Sequence, residues 1–123
     1  MRIGKLFKFE AAHQLKNWPE DHQCHRLHGH SYKVEVVISG NIAYESDKPF
    51  VVVDFADLSE AWSYVHKKFD HRNLNEVMGT DDTTAELIAL TILSMMQTKL
   101  EPKIESVRVW ETDTAWAEAR QGL

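Results

Sequence analysis

Apolar and polar residues alternate from the start of the chain. Over residues 3–15 the odd positions carry Ile3, Phe7, Phe9, Ala11, His13 and Leu15, with Lys8, Glu10 and Gln14 between them. Successive residues of a strand point to opposite faces, so this period predicts a long, half-buried β-strand with His13 on its apolar side. Asn17-Trp18-Pro19-Glu20-Asp21 breaks the pattern and predicts a loop. A second strand is predicted from His28: His28, His30, Tyr32, Val34, Val36 and Ile38 share one face, with Lys33, Glu35 and Ser39 on the other. An extended piece at residues 49–53 then leads into Asp54, a favoured N-cap residue.

Beyond Asp54 the period changes. Phe55, Leu58, Trp62, Val65 and Phe69 recur every three or four residues, which predicts an amphipathic helix ending near Asp70. A loop through Asn75 and Gly79 follows. Asp82 or Thr83 is expected to cap a second helix that runs to about Leu100 and is stopped by Pro102. Its broad apolar face (Ala85, Ile88, Ala89, Ile92, Met95, Met96) requires cover. Alternation then returns, with Val107, Val109 and Glu111 on one face and Ser106, Arg108 and Thr112 opposite, and a short last strand is expected at residues 116–119. The order ββααββ predicts an α+β fold, an antiparallel sheet with two helices on one face. At 123 residues the chain is expected to form a single domain, residues 1–123.

Composition narrows the function. The net charge is −5 and Lys or Arg never cluster beyond a pair, which disfavours nucleic acid as a partner. No apolar run approaches the ~18 residues a membrane span needs. The opening residues lack the apolar core of a signal peptide, and the single cysteine cannot form an intrachain disulfide, so a cytoplasmic protein is expected.

The chemistry concentrates in His28-Gly29-His30. On a strand these two imidazoles reach one point together, and imidazole is a preferred ligand of zinc and related metals. His13, on the apolar side of the neighbouring predicted strand, would make three nitrogen donors and leave a fourth position open; the alternative is a histidine hydrogen-bonded in the core. Cys24 lies in a polar loop, Asp21-His22-Gln23-Cys24-His25-Arg26. It suits a thiolate base or nucleophile, or a fourth ligand that closes a structural site. Asp70-His71 is either a carboxylate tuning an imidazole for proton transfer or a helix C-terminal signal. Glu111 shares a face with valines, so it is either a buried carboxylate awaiting an N–H pair or a wet strand end. Glu86 reads as a first-turn helix acid, with a ligand role open.

Together these residues carry a resemblance. Phe9-Glu10-Ala11-Ala12-His13, Cys24-x-x-x-His28-Gly29-His30-Ser31-Tyr32, Val53-Asp54-Phe55-x-x-Leu58, Asp70-His71-x-x-Leu74-Asn75, Thr83-Thr84-x-Glu86 and Val107-x-Val109-x-Glu111-Thr112 resemble the 6-pyruvoyl-tetrahydropterin synthase family, block by block in family order. The three-residue spacer between Cys24 and His28 is similar to the bacterial 6-carboxy-5,6,7,8-tetrahydropterin synthase branch; Thr83 departs from it, since bacterial members often carry proline there. The resemblance implies a tunnelling fold (T-fold) whose subunits join sheets into an oligomeric barrel, tetramer or hexamer, with active sites between subunits. It implies Zn²⁺ on His13, His28 and His30, Cys24 as general base, and Asp70–His71 moving protons. Glu111 would clamp the pterin, with Thr83, Thr84 and Glu86 as further substrate-binding candidates. The implied reaction converts 7,8-dihydroneopterin triphosphate to 6-carboxy-5,6,7,8-tetrahydropterin with release of acetaldehyde and triphosphate, towards queuosine and other 7-deazapurines. Two alternatives remain: a 6-pyruvoyl-tetrahydropterin synthase that eliminates triphosphate and keeps the side-chain carbons, and a non-catalytic pterin-binding zinc protein. Arg26 and Lys16 are candidates for the triphosphate by proximity.

Overall fold

The computed structural model describes residues 1–122; Leu123, the last residue of the expected 1–123 domain, lies outside the described residues. Two twelve-residue strands, β1 (Arg2–His13) and β2 (His28–Ser39), pair antiparallel in unbroken register from Arg2↔Ser39 to His13↔His28. β4 (Ile104–Trp110) pairs antiparallel with β2, and β5 (Trp116–Arg120) with β4. One sheet face is apolar because the period of two holds on every long strand: Phe7, Phe9, Tyr32, Val34, Val36, Val107 and Val109 are all buried on it. Helix α1 (Phe55–Phe69) covers that face with Leu58, Ala61, Trp62, Val65 and Phe69. The longest later helix adds Ile88, Ala89, Ile92 and Met96. Phe7 stacks on Trp62 at 4.9 Å and Phe9 on Tyr32 at 4.7 Å, so aromatic packing locks the two layers where the long strands meet α1. No helix among the described residues is long and apolar enough to cross a membrane.

The α+β class holds, and the structure corrects several details. After α1 the chain forms a two-residue strand, β3 (Arg72–Asn73), paired parallel with Ala11 and Ala12 of β1. The sheet order is therefore β3-β1-β2-β4-β5, mixed at one edge and not antiparallel throughout. The expected loop through Asn75 is instead a short helix, α2 (Leu74–Met78), capped by the Asn73 side chain and closed by Gly79 at φ 65°. Residues 49–53 form no strand: only an isolated Ala43↔Val51 pairing occurs, because Phe50 at φ 67° breaks the extended run. β1 ends at His13 and not at Leu15, since the next two residues bond to side chains and loops instead of the ladder.

Helix α3 (Ala85–Gln97) is capped by Thr84, not by Asp82 or Thr83. It stops at Gln97 and not near Leu100, because the Gln97 side chain turns back to donate to Leu100 O and Pro102 O and to accept from Ile104 N. Thr84 Oγ1 accepts from Leu87 N at 3.2 Å. Thr84→Ala should therefore lower unfolding stability by about 1 kcal/mol, the usual worth of an N-cap hydroxyl. Urea denaturation with an unchanged slope and an earlier midpoint is the expected result.

Candidate metal centre

The register of β1 and β2 places three imidazoles together. His13 sits directly opposite His28, while His30 faces Ala11, two residues back along β1. The ring centroids lie 4.6 Å (His13–His28), 5.1 Å (His13–His30) and 4.8 Å (His28–His30) apart. Among the described residues these are the group able to hold a metal, each offering one atom within 4.8 Å of the others. His13 is fully buried and His28 and His30 are half-buried.

Hydrogen bonds fix how the rings are presented. His13 Nδ1 donates to the Thr83 carbonyl at 2.8 Å, with Thr83 Oγ1 3.1 Å away, and His28 Nδ1 donates to the Arg26 carbonyl at 2.7 Å. A carbonyl only accepts, so Nδ1 carries the proton in both rings and each Nε2 keeps its lone pair. His13 Nε2 and His30 Nε2 are buried and make no hydrogen bond among the described residues. Buried polar atoms are seldom left unpaired, and here a metal ion would satisfy both. Burial, with repulsion from His13 and His28, lowers the His30 pKa against an opposing pull from Glu111, which favours the neutral ring that a metal needs. The donor set fits a nitrogen-preferring divalent metal held by His13, His28 and His30.

Glu111 follows the end of β4 and keeps the strand's parity. Its Oε1 lies 3.2 Å from His13 Nε2 and 3.5 Å from His30 Nε2, contacts that are attractive when a ring is protonated. Contact with His13 in its protonated form holds the Glu111 carboxyl below the usual range despite partial burial. Tyr32 places a buried hydroxyl, without a hydrogen-bond partner among the described residues, in the same region, and burial followed by the Glu111 charge pushes its pKa up.

Cys24 is half-buried in the single-turn helix Gln23–His25, and its sulfur is outside the clustered ligand atoms. Its loop is tied to the centre through the backbone, where Leu15 N donates to Cys24 O at 2.8 Å. His22 accepts from Cys24 N at 3.0 Å and so caps the turn.

Asp70 and His71 stand at the β3 edge of the sheet. His71 Nδ1 donates to Asp70 Oδ2 at 2.7 Å, and Glu10 N donates to Asp70 Oδ1 at 2.9 Å. The bonds from Glu10 and His71 lower the Asp70 pKa. His71 adopts φ 57°, held there by its own N–H bonded to Glu10 O at 2.6 Å. An open cavity of about 580 Å³ beside it is lined by Glu10, Leu27, Gly29, Ser31, His71 and Arg72 among others. The pair does not join the imidazole cluster.

The family model for 6-pyruvoyl tetrahydropterin synthase matches residues 2–122. The chain belongs to this family. A curated relative from Synechocystis sp., named 6-carboxy-5,6,7,8-tetrahydropterin synthase, is 37% identical over 94% of this chain and 89% of its own. A Pyrococcus furiosus relative named dihydroneopterin monophosphate aldolase is 38% identical over 89% of each chain. The solved 6-pyruvoyl tetrahydropterin synthase of Caenorhabditis elegans aligns with a TM-score of 0.86 at 23% identity, covering 99% of this chain and 96% of that one. The tunnelling-fold expectation is thereby met.

Against this family background the remaining expected residues divide. Thr83 is fully buried and spends its carbonyl and hydroxyl on His13, while Thr84 spends its hydroxyl on the α3 cap. Glu86 is exposed and lines a separate groove with Leu90 and Trp116. Sequence reasoning missed the Arg26 carbonyl and the Asn75 amide. A backbone acceptor leaves no mark on sequence, and Asn75 read as a loop residue.

Proposed function

We propose that this protein is a zinc-dependent 6-carboxy-5,6,7,8-tetrahydropterin synthase. It would convert 7,8-dihydroneopterin triphosphate and water to 6-carboxy-5,6,7,8-tetrahydropterin, acetaldehyde and triphosphate, in a cytoplasmic route to queuosine and related 7-deazapurines. The observation that carries the proposal is three imidazoles facing one carboxylate, two of them with buried Nε2 atoms that find no hydrogen-bond partner among the described residues. The Cys24-x-x-x-His28 spacing and the name of the Synechocystis relative support this product.

Three histidines with an open position are the donor set of catalytic zinc. Bound there, zinc would act as a Lewis acid that makes the substrate's side-chain hydroxyls easier to deprotonate. Glu111 accepts two N–H bonds from the amidine edge of the pterin and so sets how deep the ring enters. Cys24, outside the ligand cluster, takes a proton from the substrate side chain as general base. Asp70 holds His71 through Nδ1, leaving its Nε2 to give and take protons. Thr83 serves the site by orienting His13, and Thr84 by anchoring the helix behind it; Glu86 has no part in this assignment.

The Asp70–His71 pair immediately precedes the edge strand β3, so it is suited to complete the site of a neighbouring copy. We propose a homo-oligomer, tetramer or hexamer, in which sheets join edge to edge and active sites lie between subunits.

Incubation of zinc-loaded protein with 7,8-dihydroneopterin triphosphate, read by mass spectrometry, tests the function. Carboxytetrahydropterin with matching acetaldehyde is the expected result. Pyruvoyl-tetrahydropterin without acetaldehyde would move the protein to the pyruvoyl synthases. Release of a phosphorylated two-carbon aldehyde would place it with the aldolase relative. Zinc uptake without turnover would leave a pterin-binding protein. For Glu111→Gln, losing a charged acceptor worth roughly 1.5–3 kcal/mol should raise KM about 10- to 150-fold while zinc content stays unchanged.

A further inference from the structure

We infer that Asn75 is a positioning residue, holding both His13 and the Cys24 loop in place through the backbone of Gln14. This rests on the proposed metal-binding role of the three histidines. The parallel pairing of β3 with β1 runs out at Ala12↔Asn73, one residue before His13. Beyond it the Asn75 side chain takes over the work of a neighbouring peptide group. Its Oδ1 accepts from Gln14 N at 2.9 Å and its Nδ2 donates to Gln14 O at 2.8 Å. The second Nδ2 proton goes to Thr80 O at 3.1 Å. Asn75 is only 7% exposed, so its amide is buried with all three bonds made.

Gln14 is the joint between two functional groups. Immediately before it stands His13, and immediately after it Leu15 donates to Cys24 O at 2.8 Å. Thr83, whose carbonyl orients His13, also brings its hydroxyl to 3.5 Å from Gln14 O. One buried amide therefore fixes the short segment that sets the metal ligand against the thiol. Without it Gln14 N loses its partner and Gln14 O keeps only the long 3.5 Å contact from the Thr83 hydroxyl, so the segment is free to shift, moving both groups together.

Three variants of the full chain provide the test. Asn75→Leu keeps the bulk and removes every bond. Asn75→Asp keeps the acceptor and sets an oxygen against Gln14 O and Thr80 O. Val77→Ala trims a side chain of the same short helix that packs on the core and has no polar atom to bond the amide, and controls for lost stability. Each is titrated with Zn²⁺ against a chromophoric chelator, its Cys24 alkylation rate by iodoacetamide is timed, and its Tm is recorded. Both Asn75 variants should bind Zn²⁺ roughly 10- to 100-fold more weakly, the usual effect of losing an outer support of a metal ligand. Their alkylation rates should change severalfold, while Val77→Ala loses Tm with affinity and alkylation unchanged. If Asn75→Leu fails to fold, Asn75→Asp decides. Wild-type affinity and alkylation in the folded Asn75 variants would overturn the inference and leave Asn75 a stability residue. Failure of the wild-type protein itself to bind Zn²⁺ would instead defeat the proposed function, and the alkylation rates alone would then judge Asn75.

Discussion

Replacing His13 by alanine is expected to strip the metal ion from the protein and end turnover. His13 contributes the buried donor of the cluster, the one held by Thr83 from behind. Its removal leaves two donors from a single strand, His28 and His30, which cannot enclose an ion from two sides. Losing an outer partner of a ligand costs roughly 10- to 100-fold in affinity, so losing the ligand itself should cost more than that. Turnover should fall about 10³-fold or further, because Lewis-acid stabilisation is worth several kcal/mol and each 1.36 kcal/mol is a decade of rate. Metal analysis after gel filtration, beside circular dichroism to show the fold intact, checks the outcome. A His13→Ala protein that keeps its metal at wild-type affinity would move the centre elsewhere.

Cys24→Ala should separate chemistry from metal binding. Both hydrogen bonds that fix Cys24, to Leu15 N and from its own N–H to His22, use its backbone. Alanine therefore keeps the loop and deletes only the sulfur. Turnover is expected to fall roughly 10²- to 10⁴-fold, the range for a lost general base, with zinc content equal to wild type. If Cys24 instead closes the coordination shell, the same variant loses metal affinity. The two measurements on one protein thus choose between an open catalytic centre and a closed structural one.

The strand period carried most of this architecture. Because side chains on a strand alternate rigidly, His13, His28 and His30 could be assigned inward from sequence, and the observed register brings those positions together. Glu111 lies on the expected face for the same reason, even though the strand ends one residue before it. What escaped the sequence was decided by contacts between distant segments. Asp82, Thr83 and Thr84 are all good N-caps, so local preference could not choose among them; the demand of the buried His13 for an acceptor engages Thr83, and Thr84 takes the cap. β3 spans two residues, too few to show any period. Asn75 works by imitating a peptide group, which no hydrophobic pattern records. Val51-Val52-Val53 looked extended because β-branched residues favour strands, yet the left-handed Phe50 turns the chain before them.

All three clustered imidazoles lie on one antiparallel pair, near the end where β1 and β2 come closest to their connecting loop. That makes the centre a portable cassette for protein design: a host hairpin in the same register would carry all the donors on two alternate rungs of one ladder. A slip of one residue would throw the moved ligand to the opposite face and dismantle the set. The graft would also inherit a debt, because the carbonyl that orients His13 belongs to Thr83, seventy residues away. A transplanted hairpin without an acceptor placed there should bind metal loosely, through rings free to rotate.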